Sequence, residues 1–282
     1  PKKISVILHA DGGQSNGNVG LAPRKMELYT APPQDADDNW IDHLCIHEFR
    51  HVVQFDKINQ GLTRVLYHVF GEILPIAVVG IYLPMWFIEG DAVYFETATG
   101  NIGRGRSPEF LNEMKAQITE KGIYHISKAT LGSYKDFVPN RYTLGYYMTS
   151  QTRINYGKDI WAKALDYTGR HPFGINSLSR SLRRSMSGKR DHLWNTPYFK
   201  SLFVNPDSVR ITNEHKDPKR TLYRDNSSEL MEIWKQEVSN SSNTFDTIST
   251  SNKFYTHYSF PTADTNGIIY ASKERLRETG AS

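Results

Sequence analysis

The first apolar positions of the chain form a β-branched run, and from Asp38 onward they recur with the period of a helix. ISVILHA, residues 4–10, predicts a strand. GNVGLAPRKMELYTAPP, residues 17–33, predicts a second extended stretch, broken by glycine and Pro23 as an edge strand can be. Trp40, Leu44, Val52 and Phe55 then follow at multiples of three and four, the mark of a helix of about five turns capped by Asp38 or Asn39. A helix from Thr63 towards Glu72 comes next, and another starts after Pro84 and carries MWFIEGDAVYFETA. In SPEFLNEMKAQITEKG, Ser107 is placed as cap, Pro108 at the first helical position and Gly122 as the stop.

Further helices are expected over 139–155, 158–168, 175–187 and 227–238, with Gly157, Gly169 and Gly188 in the loops. Helical spacing over 175–187 places Ile175, Leu178, Leu182 and Met186 inward and the arginines of RSLRR on a solvated face. After Ser239 the composition shifts to Ser, Thr and Asn, and FYTHYSFPTADTNGIIYASKE reads as strand, Asn-Gly turn, strand. No repeat of solenoid length is present. The expected class is α+β: a small N-terminal sheet and a mostly helical lobe over 1–238, then a linker and the start of a second β domain over 239–282.

Composition narrows the classes. Of 282 residues, 38% are hydrophobic and 12% aromatic, enough for a sizeable core. The most apolar run, ILPIAVVGIYLPMWFI, covers residues 73–88 between Glu72 and Glu89. It is shorter than the ~20 residues a membrane helix needs and holds two prolines and a glycine, so it is expected to be a buried connection. The net charge of +4 is mild, and no Gly-rich phosphate loop or paired Cys-x-x-Cys ribbon is present, which argues against a nucleic-acid partner. The single cysteine, Cys45, excludes an intramolecular disulfide and a multi-cysteine zinc site, and helix angle turns it towards the core. Few thiols suit the cytosol and equally an export route without disulfides. The chain starts at Pro1 and stops in RETGAS, as a piece of a longer protein would; a removed export signal would then be invisible.

The candidate chemistry sits in HEFRH, residues 47–51. Residues i and i+4 of a helix lie about 40° apart and ~6 Å along the axis. Two imidazoles at that offset can converge on one zinc at ~2.0–2.1 Å each. Glu48 is turned too far to ligate but can take a proton from a water at the metal. The plainer alternative is an amphipathic helix with two surface histidines. Against it stands WFIEGDAVYFE, residues 86–96, a second helix that offers Glu89 next to small Gly90. Two imidazoles and one carboxylate leave a fourth position for water, the arrangement of a catalytic rather than a structural zinc. Glu96, two turns after Glu89 on the same face, can accept a hydrogen bond from a ligating histidine and fix its tautomer. His43 extends the stripe, but a fourth protein ligand would close the catalytic position, so it is read as a neighbour.

HEFRH followed by EGDAVYFE resembles the gluzincins, zinc metallopeptidases of the thermolysin and aminopeptidase type. Glu89 to Glu96 matches their Glu-Gly-x-Ala-x-Tyr/Trp-x-Glu helix at every fixed position. The metzincin pattern would need Gly at 54 and His at 57, where this chain has Gln54 and Lys57. RYTLGYYM supplies Tyr142 and Gly145 where those aminopeptidases carry Tyr-x-x-Gly, ahead of a helix in YGKDIWAKAL. The likeness extends over residues 1–205. It implies a zincin-like fold, Zn2+ held by His47, His51 and Glu89, Glu48 acting on the water, and Tyr142 steadying the oxyanion. It implies a peptide or protein substrate, held along the edge strand around NVGLAP. No Gly-x-Met-Glu-Asn element for gripping a free amino terminus is present, so aminopeptidase specificity is not implied. The chain is more similar to bacterial peptidase-like proteins in which such a domain precedes a TolB-like β-propeller, whose first blade YSFPTADTNGIIYASKE resembles. That implies export to the periplasm, cell surface or medium. Two other readings stay open: a zinc-containing, non-catalytic binding module acting with a propeller, and a basic surface adaptor working through residues 170–190, whose binding would weaken with salt.

Overall fold

The computed structural model describes residues 3–33, 40–100, 103–187, 217–240, 256–263, 265 and 269–275. The segment expected as one extended stretch over 17–33 is a hairpin. β2 (Ser15–Leu21) runs antiparallel to β3 (Arg24–Thr30), with Ser15 opposite Thr30 and Leu21 opposite Arg24. Proline cannot donate to a ladder, and the chain reverses at Ala22–Pro23. β1 (Ser5–His9) pairs parallel with β3, giving the order β1-β3-β2 and leaving β2 as an edge. Strand alternation turns Met26 and Leu28 of β3 inward, where they are buried against Val52 of the first helix, with Cys45 half-buried beside them.

The helical body follows in order: α1 (Trp40–Ile58), α2 (Gly61–Phe70), α3 (Ile73–Tyr82), α4 (Met85–Thr99), α5 (Pro108–Lys121), α6 (Ile126–Leu131), α7 (Arg141–Tyr156), α8 (Ile160–Arg170), α9 (Ser177–Ser187) and α10 (Pro218–Ser239). A 3-10 turn, Arg104–Arg106, links α4 to α5. Most boundaries match the sequence periods, and five readings do not. Gly169, expected in a loop, lies buried in the last turn of α8 against the Ile58 carbonyl. The run 73–88 is no buried connection: its first part is α3, with Pro75 tolerated in the opening turn and Ile73 and Ile81 facing outward. Ile175 precedes α9 and is exposed, while Leu178, Leu182 and Met186 are buried as their spacing requires. α10 starts nine residues before 227, because Asp217 caps it by accepting from the Lys219 backbone N–H and Pro218 fits the first turn. α6 lacks a periodic signal in the sequence, being too short to show one. The expected cap of α1, Gly188 and the Asn-Gly turn lie outside the described residues. β4 (Thr256–Ala263) and β5 (Ile269–Arg275) pair antiparallel with each other.

α4 is the axis of the body. Trp86, Phe87, Ile88, Ala92 and Val93 are all buried on it. Trp161 of α8 meets Phe87 with ring centroids 4.6 Å apart and Trp86 at 6.1 Å. α4 and α7 cross at two glycines. A Cβ on Gly90 would stand 2.3 Å from Gly145 Cα, and one on Gly145 would stand 1.8 Å from the Trp86 carbonyl oxygen. Only hydrogen fits at this contact. A three-stranded sheet on a predominantly helical body is the α+β class that the sequence predicts.

Candidate metal centre

α1 and α4 pack side by side and bring together groups that the sequence separates, with 37 residues between His51 and Glu89. His47, His51 and Glu89 are all buried, and one donor atom from each lies within 4.8 Å of the other two. Oε2 of Glu89 is 3.4 Å from His47 Nε2 and 3.6 Å from His51 Nε2. These separations are too long for good charge-assisted hydrogen bonds. They match the edge of a tetrahedron whose corners stand ~2.0–2.1 Å from its centre, about 3.4 Å. Among the described residues this is the one such group, and His43 is not part of it.

Hydrogen bonds behind the rings fix both imidazoles in the tautomer that a metal needs. The Gln54 amide nitrogen donates to the Ile88 carbonyl (3.0 Å) and to Asp91 Oδ2 (2.8 Å). Its oxygen therefore faces His51 Nδ1 at 3.1 Å and accepts from it. His47 Nδ1 donates to Glu96 Oε2 at 2.9 Å. With hydrogen on both Nδ1 atoms, both Nε2 lone pairs point at Glu89. Arg104 grips Glu96 through Nε to Oε1 (2.7 Å) and Nη2 to Oε2 (2.8 Å). Its Nη2 also lies 2.7 Å from His47 Nδ1, a close contact imposed by the shared acceptor, since both nitrogens are donors. Burial opposes ionisation of Glu96, but the hydrogen bonds from Arg104 and His47 prevail and hold its carboxyl at about 2. Burial likewise opposes the charge on Glu89; when no metal is bound and the imidazoles are protonated, His47 and His51 outweigh it and bring that carboxyl also to about 2.

Asp91, with no exposed surface, anchors the far side. It accepts from Arg50 Nε at 2.7 Å, from Gln54, and from Arg153 of α7. Sequence reasoning missed Gln54, Asp91, Arg104 and Arg153. Gln54 stands three residues after His51, the only signal that it could reach the same ring.

Glu48 is buried beside the two histidines. Burial raises its carboxyl pKa above the usual range, with His51 and His47 pulling the other way. The β2 edge passes directly over it: a Cβ on Gly17 would lie 2.7 Å from Glu48 Cγ. Tyr142 enters from the start of α7, where Asn140 accepts from its backbone N–H (2.9 Å) and from that of Thr143 (3.0 Å). The Tyr142 ring centroid is 6.2 Å from that of His47. The guanidiniums of Arg104 and Arg141 stand 5.0 and 5.3 Å from its ring. A cleft of about 850 Å³ opens beside Arg141 and Tyr142, with Met85, Trp86, Ile126 and Leu131 in its walls. That is ample for a ligand side chain. The structure thus brings His47, Glu48, His51, Glu89, Glu96 and Tyr142 into one region, and the His-His-Glu group can hold a metal ion. Comparison with protein-family models, curated proteins and solved structures finds no match.

Proposed function

We propose that this chain is a zinc-dependent peptide hydrolase of the gluzincin type, with a zincin-like fold. The observation that carries the reading is the convergence of His47, His51 and Glu89, with Glu89 at a tetrahedral-edge distance from each imidazole and a buried Glu48 outside that group beside them. Two imidazoles and one carboxylate suit zinc better than the hard cations, which prefer all-oxygen sites. Zinc held there would supply Lewis acidity, polarising the scissile carbonyl and making water more acidic. The rest is done by this chain. Glu48 takes the proton of the attacking water and passes it to the leaving amine. Tyr142 donates to the developing oxyanion, with the Arg104 and Arg141 charges nearby favouring negative charge there.

An extended peptide would add to the free side of β2, and Gly17 lets its backbone approach Glu48. The cleft beside Tyr142 would receive one of its side chains. On the same reading residues 1–238 form the hydrolase, and the β4–β5 pair begins a TolB-like propeller of an exported protein. Metal analysis with a peptide-library digest tests the assignment: about one zinc per chain and chelator-sensitive cleavage are expected. Zinc without cleavage of any peptide would favour the non-catalytic binding module.

A further inference from the structure

The most apolar window of the chain, residues 73–88, supplies α3, and much of the α2–α3 hairpin faces outward. Leu62, Val65 and Val69 fall at i, i+3 and i+7 on α2, Phe70 ends that helix, and Ile73 and Ile81 lie two turns apart on α3. These six side chains are 41% to 72% exposed. Ala77 and Gly80, also exposed, continue the α3 stripe between them. The other faces go inward, with Thr63, Pro75, Val78 and Val79 buried where the hairpin packs on α1 and α8. Gly71, at φ 68°, makes the tight turn at the tip. Two adjacent helices therefore present apolar stripes to solvent in a chain whose mean hydropathy is −0.54. Such a contiguous patch marks an interaction surface.

On the hairpin itself the exposed charge is cationic, Arg64. Between Lys57 and Ile88 the sequence has a single acid, Glu72, and that is half-buried beneath the hairpin, lining a small cavity with Arg24 and Asp56. On α2 the exposed polar residues Arg64 and His68 flank the stripe. Arg170 of α8 lies against the start of α2, its Cγ 2.7 Å from where a Gly61 Cβ would be, and also pairs with Asp166. It opens a run of six Lys and Arg without an acid that lasts to Asp191. The Tyr82 hydroxyl, at the end of α3, is within hydrogen-bond distance of the Pro172 and Gly174 carbonyls. That ties the hairpin to a loop whose Phe173 and Ile175 are also exposed.

We propose that the α2–α3 hairpin docks into the surface of an anionic lipid bilayer. Its aliphatic and aromatic side chains enter the headgroup–acyl boundary, and Arg64 and Arg170 meet the lipid phosphates. Each ten-residue helix is about 15 Å long, half the thickness of the hydrocarbon core, so the hairpin lies in the interface and does not span it. Arg64, and Arg170 beside its partner Asp166, complement anionic headgroups, each cation adding to the apolar contribution.

Co-sedimentation of the chain with vesicles tests this without reading hydrolysis, so its outcome is separate from that of the proposed activity. Vesicles of phosphatidylcholine with phosphatidylserine are expected to bring the chain down, pure phosphatidylcholine much less, and salt is expected to reduce binding. Replacing Val69, Phe70 and Ile73 together by serine should lower partitioning by at least about tenfold. Arg64→Gln and Arg170→Gln should each cost roughly fivefold. These side chains are exposed, so far-UV circular dichroism should not change. As a second reading, Val69→Cys in a Cys45→Ser background, carrying a polarity-sensitive dye, should shift its emission to the blue only with anionic vesicles. Absence of binding to any vesicle, or serine variants that bind like wild type, would overturn the proposal. So would a wild-type dimer that the serine variant dissolves, or a dye already shielded before lipid is added, because a second copy or the chain itself would then cover the face.

Discussion

Nδ1 of His47 donates to Oε2 of Glu96 at 2.9 Å, while Nε2 of the same ring lies 3.4 Å from Oε2 of Glu89. One imidazole is thus held between two carboxylates of a single helix. Seven residues advance an α-helix by nearly two full turns, so Glu89 and Glu96 share a face of α4 about 10 Å apart along its axis, and the ring of α1 fits between them. Glu96→Gln keeps the size and loses the charge that holds both His47 and Arg104. Metal affinity is expected to fall about 10–100-fold, measured by competition with a chromogenic chelator.

The network around Asp91 predicts a stability effect with a defined sign. Burial disfavours the Asp91 charge, but Arg153 and Arg50 outweigh it and lower the pKa of its carboxyl below the usual value. A depressed folded-state pKa contributes stability that is present above the unfolded value of about 3.9 and disappears as pH falls through the folded one. Asp91→Asn leaves two guanidiniums facing a neutral amide, Arg153 among them nearly fully buried. Denaturant unfolding at neutral pH should show a loss of about 3–5 kcal/mol. The gap between variant and wild type should narrow below about pH 3.9.

Two glycines in helices should respond to alanine in opposite directions. Gly145→Ala places a methyl 1.8 Å from the Trp86 carbonyl oxygen, so α4 and α7 must part, at a cost of about 1–3 kcal/mol or more, and Tyr142 moves with α7. Gly80, inside α3, has nothing within 4 Å of its missing Cβ. Gly80→Ala should stabilise by about 0.5–1 kcal/mol. Paired thermal or denaturant melts check both.

Tyr142→Phe removes a hydroxyl and little else. If that hydroxyl donates to the oxyanion, kcat on a cleaved peptide should fall roughly 10²–10³-fold with KM and bound metal nearly unchanged. A rise in KM alone would place Tyr142 in substrate binding instead.

What could be read from the sequence followed from local period. His47, His51, Glu89 and Glu96 fall on faces set by helical spacing, so their grouping needed only that α1 and α4 pack together. Gly90 signalled close approach, and the structure puts it in contact with Gly145, which the sequence marked only as part of Tyr-x-x-Gly. Arg104 carried no such signal, because it reaches Glu96 from a 3-10 turn beyond the helix, and its aim depends on the path of the chain. Asp91 needed Arg153, 62 residues away, to explain a charge without exposed surface. The hairpin at Ala22–Pro23 was hidden because proline marks an interrupted strand and a turn equally well. The run 73–88 shows the limit of hydropathy: its residues are apolar whether they face a core or the surface, and only packing tells Val79 from Ile81.

Glu48 separates a hydrolase from a metal-holding module, and Glu48→Gln is the variant to measure. Glutamine is nearly isosteric and Glu48 is not among the three grouped donors, so fold and metal content should match wild type. It cannot accept a proton from water near neutral pH, so chelator-sensitive peptide cleavage should drop by roughly 10²–10⁴-fold or more. Cleavage by Glu48→Gln at the wild-type rate, with the metal still bound, would contradict the role given to Glu48 and the peptidase reading built on it.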